Sequence, residues 1–231
     1  VAESTMMPMQ KFAAKVSYRN ANKIYVRVAK IDQVQLKKLS EKYYNEELYE
    51  KILKLATSVY EQNHQLPVDK DFNQHSVEIL LEGLPVGYYI LLVSDNEGFS
   101  CRNAMAAYQE FRVSGISYVT QKVDNGAQRF IVMDRSTGWP LSGVSCQSWY
   151  TKYSYSGRRY VRKNGPIYTS DKNGMVVLKA TSAGQNEQWS MDFRKGADFL
   201  STENTYYAAK TDNPVYARIN TTFFTDRAIY R

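Results

Sequence analysis

The chain has 231 residues with a net charge of +7 and a pI of about 9.2. That length holds one large or two ordinary domains, whose cores need neither disulfides nor a metal. A hydrophobic content of 43% and a charged content of 23% exclude a disordered or low-complexity chain, and no run approaches the roughly 18 apolar residues of a membrane-spanning helix.

The positive balance permits nucleic-acid or anionic-surface binding without requiring it. Its main cluster, RRYVRK at 158–163, reads as a solvated hairpin rather than a phosphate site. The chain starts at Val1 rather than Met, so processing or cleavage before this residue is expected.

Residues 1–10 show no period and read as an entry segment. In KIYVRVAKI (23–31), Ile24, Val26 and Val28 alternate with Tyr25, Arg27 and Ala29, the pattern of a half-buried strand. A short helix is predicted near 33–41. A longer one is predicted over about 45–63, from the spacing of Leu48, Ile52, Leu55 and Val59, with Asn45 as N-cap and Glu46 and Glu47 in the first turn. On this reading His64 stands at a helix end and His75 just before a strand. Strand-like stretches at 75–81 and 88–93 flank Leu84-Pro85-Val86-Gly87 and are expected to pair antiparallel. Two more strand-like pieces fill 106–123, with a domain boundary between them at Ser114-Gly115.

Beyond residue 116 the helical signal vanishes. Strands are predicted at 116–123, 128–134, 143–155, 158–163, 166–170, 175–180, 187–194, 205–210 and 215–224. Turn residues punctuate them at 124–126, 136–138, 156–157, 164–166, 171–174, 183–184 and 212–214. The expected fold is mostly β: two tandem antiparallel β-sandwiches over 1–114 and 115–214, the first with a helical insertion, and a strand over 215–231 leading into a further domain.

Signals for chemistry are sparse. His64 and His75 have no neighbouring ligands at metal spacing, and no P-loop, GxGxxG or GxSxG occurs. Asp171-Lys172-Asn173-Gly174 reads as a hairpin turn, because Met175, Val177 and Ser182 fall where a calcium loop needs ligands. Catalytic residues, a metal site and a cofactor are therefore not expected. Cys101 and Cys146 fall in separate halves and do not decide the redox compartment.

The candidate binding surface is the hairpin around Ser156-Gly157. Trp149, Tyr153 and Tyr155 share one face of it, and Arg158, Tyr160 and Arg162 line the returning strand. Such a surface stacks sugars or bases, or anchors a protein interface. Alternatively, its cross-strand aromatic and cation–π pairs stabilise the ribbon itself. The segment has no acidic partner of its own, which leaves both readings open.

FFTDRAIYR (223–231) resembles the segment that opens an early macroglobulin-type domain in bacterial alpha-2-macroglobulin-like proteins. There TDR-x-IYR or TDR-x-LYR is followed by Pro-Gly, and here Thr225, Asp226, Arg227, Ile229, Tyr230 and Arg231 match. HSVEILLEGLPVGYYILLVSD (75–95) and MDRSTGWPLSGVSC…YTSDKNGMVVL (133–178) are similar to that family's N-terminal region. The resemblance implies macroglobulin- or immunoglobulin-like sandwiches from a longer chain, acting as non-catalytic scaffold of an inhibitor that entraps proteases after bait cleavage. The family's thioester lies in C-G-E-Q, whereas Cys101 is followed by Arg-Asn-Ala and Cys146 by Gln-Ser-Trp.

The partners so implied are other domains of the same chain and, through the parent protein, target proteases. No nucleic acid is expected, and membrane contact only through a lipid anchor. The implied setting is periplasmic or cell-surface. The rival reading is a binding module of a cell-surface adhesin or carbohydrate-uptake protein that uses the aromatic hairpin. A hydrolase ranks third, since no acid–base pair stands out.

Overall fold

Alternation sets the architecture from the first strands onward. The computed structural model describes residues 4–67, 71–101, 104–123, 126–154, 156–179, 188–202 and 204–207. In chain order, β1 (Thr5–Met6), β2 (Phe12–Tyr18) and β3 (Lys23–Lys30) lead into α1 (Gln33–Ser40) and α2 (Asn45–Leu55). Then follow β4 (Thr57–Gln65), β5 (His75–Leu81), β6 (Gly87–Ser94) and β7 (Ala106–Val113). β7, β6, β3 and β4 form an antiparallel sheet that β1 joins in parallel at β7; β2 and β5 form a separate two-stranded sheet.

The two faces of the large sheet meet different neighbours. Ile24, Val26 and Val28 of β3 and Tyr89 and Leu91 of β6 pack on Ala14, Ile79 and Leu81 of the small sheet. Ala29, Ile90 and Leu92 point the other way, onto Leu36 of α1 and Leu48, Tyr49 and Ile52 of α2. β6 is therefore covered on both faces, which is why it reads as a continuous apolar run instead of an alternation.

α1 starts at Asp32, whose carboxylate accepts from the Gln35 amide at 2.8 Å, and Lys37 and Lys38 sit in its last turn. α2 differs from expectation at both ends. Tyr44 holds the cap position without a side-chain bond, and Asn45 is the first helical residue, with a left-handed φ of 50°. The helix stops at Leu55, and residues 57–65 are strand, not helix. Thr57 to Tyr60 are β-branched, aromatic or serine, and the edge of β3 offers them a ladder that a further helical turn would forgo. Arg27 Nε donates to Glu61 Oε1 at 2.7 Å across that ladder. His64 thus lies opposite Ile24 in a strand, not at a helix end, and its Nε2 is buried without a hydrogen bond.

β5 and β6 do not pair with each other, contrary to expectation. β5 pairs with β2, and Leu84-Pro85-Val86 carries the chain from one sheet to the other. Gly83 is required in this crossing, because a Cβ there would stand 2.4 Å from the Met9 carbonyl carbon.

The second half holds β8 (Ile116–Lys122), β9 (Gln128–Asp134), β10 (Ser145–Ser154), β11 (Arg159–Thr169), β12 (Met175–Leu178), β13 (Gln188–Lys195), β14 (Asp198–Ser201) and β15 (Tyr206–Tyr207). A sheet ordered β11-β10-β13-β14, with β15 on β13, faces a sheet ordered β12-β9-β8. Phe130, Val132, Cys146, Met191 and Phe193 fill the space between them.

β11 merges the two strands predicted at 158–163 and 166–170. Asn164-Gly165-Pro166 is no turn; it lies beside an irregularity in β10 between Gln147 and Trp149. β1, β2 and β14 were not anticipated. The predicted strand at 215–224, the TDRAIYR motif, the 183–184 and 212–214 turns and Tyr155 lie outside the described residues. The fold is mostly β, two antiparallel sandwiches with a helical insertion between β3 and β4.

The loop after β9 has an acid-sensitive anchor. Asp134 Oδ1 accepts from the Ser136 hydroxyl at 2.6 Å and from the Thr137 amide at 3.0 Å, and these bonds hold its carboxyl below the usual carboxylate range. A lowered folded pKa contributes stability that is present above the unfolded value, near 4, and lost as pH falls through the folded value. Thermal unfolding followed below about pH 4 should therefore fall more steeply for the parent than for Asp134→Asn. Superimposable pH profiles would show that the turn does not depend on this ionisation.

Candidate functional site

Two residues separate the cores. Val113 ends β7 in the first core, Ile116 opens β8 in the second, and Ser114 between them is fully buried. Buried backbone polar groups must find partners, and here they do. The Ser114 amide donates to the Met6 carbonyl at 3.1 Å, and the Ile116 amide to Ser114 Oγ at 3.1 Å. Arg135 Nε donates to the Ser114 carbonyl at 3.0 Å and Arg135 Nη2 to the Ile116 carbonyl at 2.7 Å, while the Arg135 amide donates to the Gly115 carbonyl at 2.7 Å.

The remaining donors meet one carboxylate. Asp198 Oδ1 accepts from Ser114 Oγ at 2.6 Å and Asp198 Oδ2 from the Gly115 amide at 2.8 Å. Asp198 reaches the joint because β13 and β14 form a hairpin around Gly196, whose φ is 59°, placing Asp198 opposite Lys195.

One turn of strand earlier, Arg112 is buried between the halves. Its guanidinium lies 5.2 Å from the Tyr88 ring centre and 4.8 Å from that of Phe199, and Nη2 donates to Gln33 Oε1 at 2.9 Å. Desolvation lowers its pKa, opposed by Tyr88, Asp192 and Asp198, yet an arginine so perturbed remains a cation at neutral pH. Beside it a cleft of about 480 Å³ separates α1 from the outer face of the β11-β10-β13-β14 sheet, lined by Lys37, Tyr88, Glu110, Arg162, Asp192 and Phe199. Tyr88 donates a short hydrogen bond to Glu110 there, and burial followed by that bond raises its pKa.

The aromatic hairpin borders this cleft. Register pairs Tyr153 with Tyr160 and Thr151 with Arg162, so Trp149, Tyr153, Tyr160 and Arg162 share the outer face. The tyrosine rings meet edge-on at 5.2 Å, and Tyr160 is 71% exposed. Arg158 occupies the turn with a left-handed φ of 47°, and Tyr155 lies outside the described residues.

The hairpin does have an acidic partner, supplied by β13 rather than by its own strands. Trp149 Nε1 donates to Asp192 Oδ2 at 2.7 Å, and Arg162 stands 3.7 Å from that oxygen and 4.3 Å from the Trp149 ring centre. Arg162 thus covers one face of the indole. Replacing Trp149 by Phe keeps an aromatic, though smaller, ring and removes a donor to a carboxylate, an interaction worth about 1.5 kcal/mol. Urea denaturation should show that loss, and an unchanged midpoint would mean solvent replaces the bond without cost.

Several groups capable of chemistry are tied up elsewhere in the fold. Burial pushes the Cys146 thiol up to about 12, so at neutral pH it is a protonated core residue. Burial, then a hydrogen bond to Glu50, raises the pKa of Cys101. His75 pairs with Asp71 at 2.9 Å. Among the described residues no three His, Cys, Asp or Glu side chains converge for a metal. Sequence reasoning marked Ser114-Gly115 but missed Asp198, Arg135 and Arg112. Arg112, a charge set between Phe111 and Val113 at the end of β7, was the one local signal.

No family model matches the chain, and no curated protein matches it. Solved structures are. Native alpha-2-macroglobulin from Escherichia coli spanning domains NIE-MG1 aligns at a TM-score of 0.50 and 15% identity, over 81% of this chain and 86% of that one. The fragment spanning MG0-NIE-MG1 aligns at 0.53 and 16%, over 87% of this chain and 62% of that one. The chain shares the fold of these macroglobulin domains. It spans 62% of the length of the longer fragment.

Proposed function

We propose that these residues are rigid scaffold of a bacterial alpha-2-macroglobulin-like protease inhibitor, supplying position and not chemistry. The observation that carries this reading is the saturated joint at Ser114–Gly115, where Asp198 and Arg135 bond the chain passing from one core to the next. A frame that entraps a protease after bait cleavage needs domains that hold their relation until the distant cut. A linker with no spare hydrogen-bonding group at its centre meets that need. The macroglobulin fold supports the same reading. Its partners are then neighbouring domains of the same chain and, through the whole inhibitor, the target protease. Its setting is the periplasm or cell surface, with membrane attachment through a lipid anchor.

Two measurements test this together. Residues 1–231 alone should leave an endoprotease's turnover of a protein substrate unchanged. The full-length gene product should slow cleavage of a large substrate while sparing a small peptide. Inhibition by residues 1–231 alone, or no protection by the full-length product, overturns the reading.

A further inference from the structure

β11 is an edge strand of eleven residues whose ladder partner, among the described residues, is β10 alone. The stretch from Ser145 to Thr169 contains Lys152, Arg158, Arg159, Arg162 and Lys163 and no Asp or Glu. All five cations are exposed, and among the described residues only Arg162 has an ion-pair partner.

Their placement is informative. Arg162 stands on the outer face with Tyr153 and Tyr160, whereas the register puts Lys152, Arg159 and Lys163 on the opposite face. Among the described residues the open edge therefore has Lys152, Arg159 and Lys163 on one face and, on the other, Arg162, whose charge is shared with Asp192. A flat polyanion touches one face of a sheet at a time. An added β-strand projects successive side chains to both faces and also satisfies the edge's open backbone groups.

We propose that the free edge of β11 receives an extended, acidic polypeptide segment of a partner protein, paired as an additional strand with carboxylates directed to both faces. The exposed Tyr160, braced edge-on by Tyr153, supplies an aromatic anchor at one end of this edge. At the other end Gly165 is packed against Ser148 and Trp189, and Pro166 offers no amide, so the usable edge runs through Arg159–Lys163. A second copy of this hairpin is disfavoured as occupant because its charges would repel.

The test uses the 231-residue chain and a synthetic peptide of about ten Thr, Val and Glu residues with glutamates on both faces. The peptide should bind, and more weakly as salt rises. Changing its glutamates to glutamine, or making Arg159→Glu with Lys163→Glu in the protein, should each weaken binding by about tenfold or more, with circular dichroism confirming that the variant is folded. Two further peptides, N-methylated on alternate amides in the two phases, should behave oppositely: one binds as the parent does, the other loses binding. No binding of the parent peptide, equal behaviour of the methylated pair, or tighter capture of single-stranded DNA or a sulfated polysaccharide each overturns the proposal.

Discussion

Replacing Asp198 by alanine should weaken the coupling between the two halves by about 3 kcal/mol. Each of its bonds joins a neutral donor to a carboxylate, and one such bond is worth roughly 1.5–3 kcal/mol. Here one half-buried carboxylate holds both the hydroxyl of the fully buried Ser114 and the Gly115 amide. Truncation leaves both donors without their acceptor. Hydrogen exchange at the Gly115 amide should accelerate by about a hundredfold, because that amide is reported directly by the lost bond.

Asp198→Asn is the graded control. Its amide oxygen can replace one acceptor while its NH2 opposes the other donor, so about half of the effect should remain. Unchanged exchange in the alanine variant would mean that Arg135 alone holds the joint. The proposed function would then lose the observation that carries it.

Gly174→Ala should destabilise the second sandwich by about 4 kcal/mol. Gly174 adopts a φ of 69°, a conformation that costs an L-residue about 1–2 kcal/mol. A Cβ there would also stand 2.2 Å from the Val132 carbonyl oxygen and 3.2 Å from the Leu141 amide nitrogen. Neither contact is a flexible side-chain tip. Val132 N–H donates to the Gly174 carbonyl at 2.8 Å, and the Val132 carbonyl accepts from Leu141 at 2.9 Å, so three segments cross there. Relief requires β12 to move off β9, unseating the buried Val176 and Leu178; overpacking of this kind costs roughly 1–3 kcal/mol.

Gly138→Ala separates the two causes. Its φ of 72° is similar, but nothing lies within 4 Å of the added carbon, so strain alone remains. Urea midpoints for the two variants should differ clearly. Equal midpoints would place the whole cost of Gly174→Ala in its backbone angle.

Local chemistry made much of this fold legible. The alternation of Ile24, Val26 and Val28 gave β3 and its buried face, and the boundaries read for β9 coincide with the structure. Asp171 forms the expected turn, its Oδ1 accepting from the amides of Asn173 and Met175. In each case the deciding contacts lie within a few residues, so side-chain preference and backbone angle are set together.

The candidate site was legible only as a boundary and a face. Ser114-Gly115 stood out as a break between strand-like pieces, and the hairpin's aromatic face followed from period two. Nothing near residue 114 points to Asp198, which reaches it only because a hairpin turns at Gly196. Asp192 likewise comes to Trp149 through strand neighbours distant in sequence.

The amino-acid sequence by itself therefore determined the β character, local turns such as that at Asp171–Gly174, and the inward face of strands such as β3. Tertiary structure alone decided that residues 57–65 become a strand, that β5 joins β2 and not β6, and that one carboxylate closes the joint. Strand partners and buried acceptors depend on which edges and donors the rest of the fold leaves open, and no local pattern encodes that.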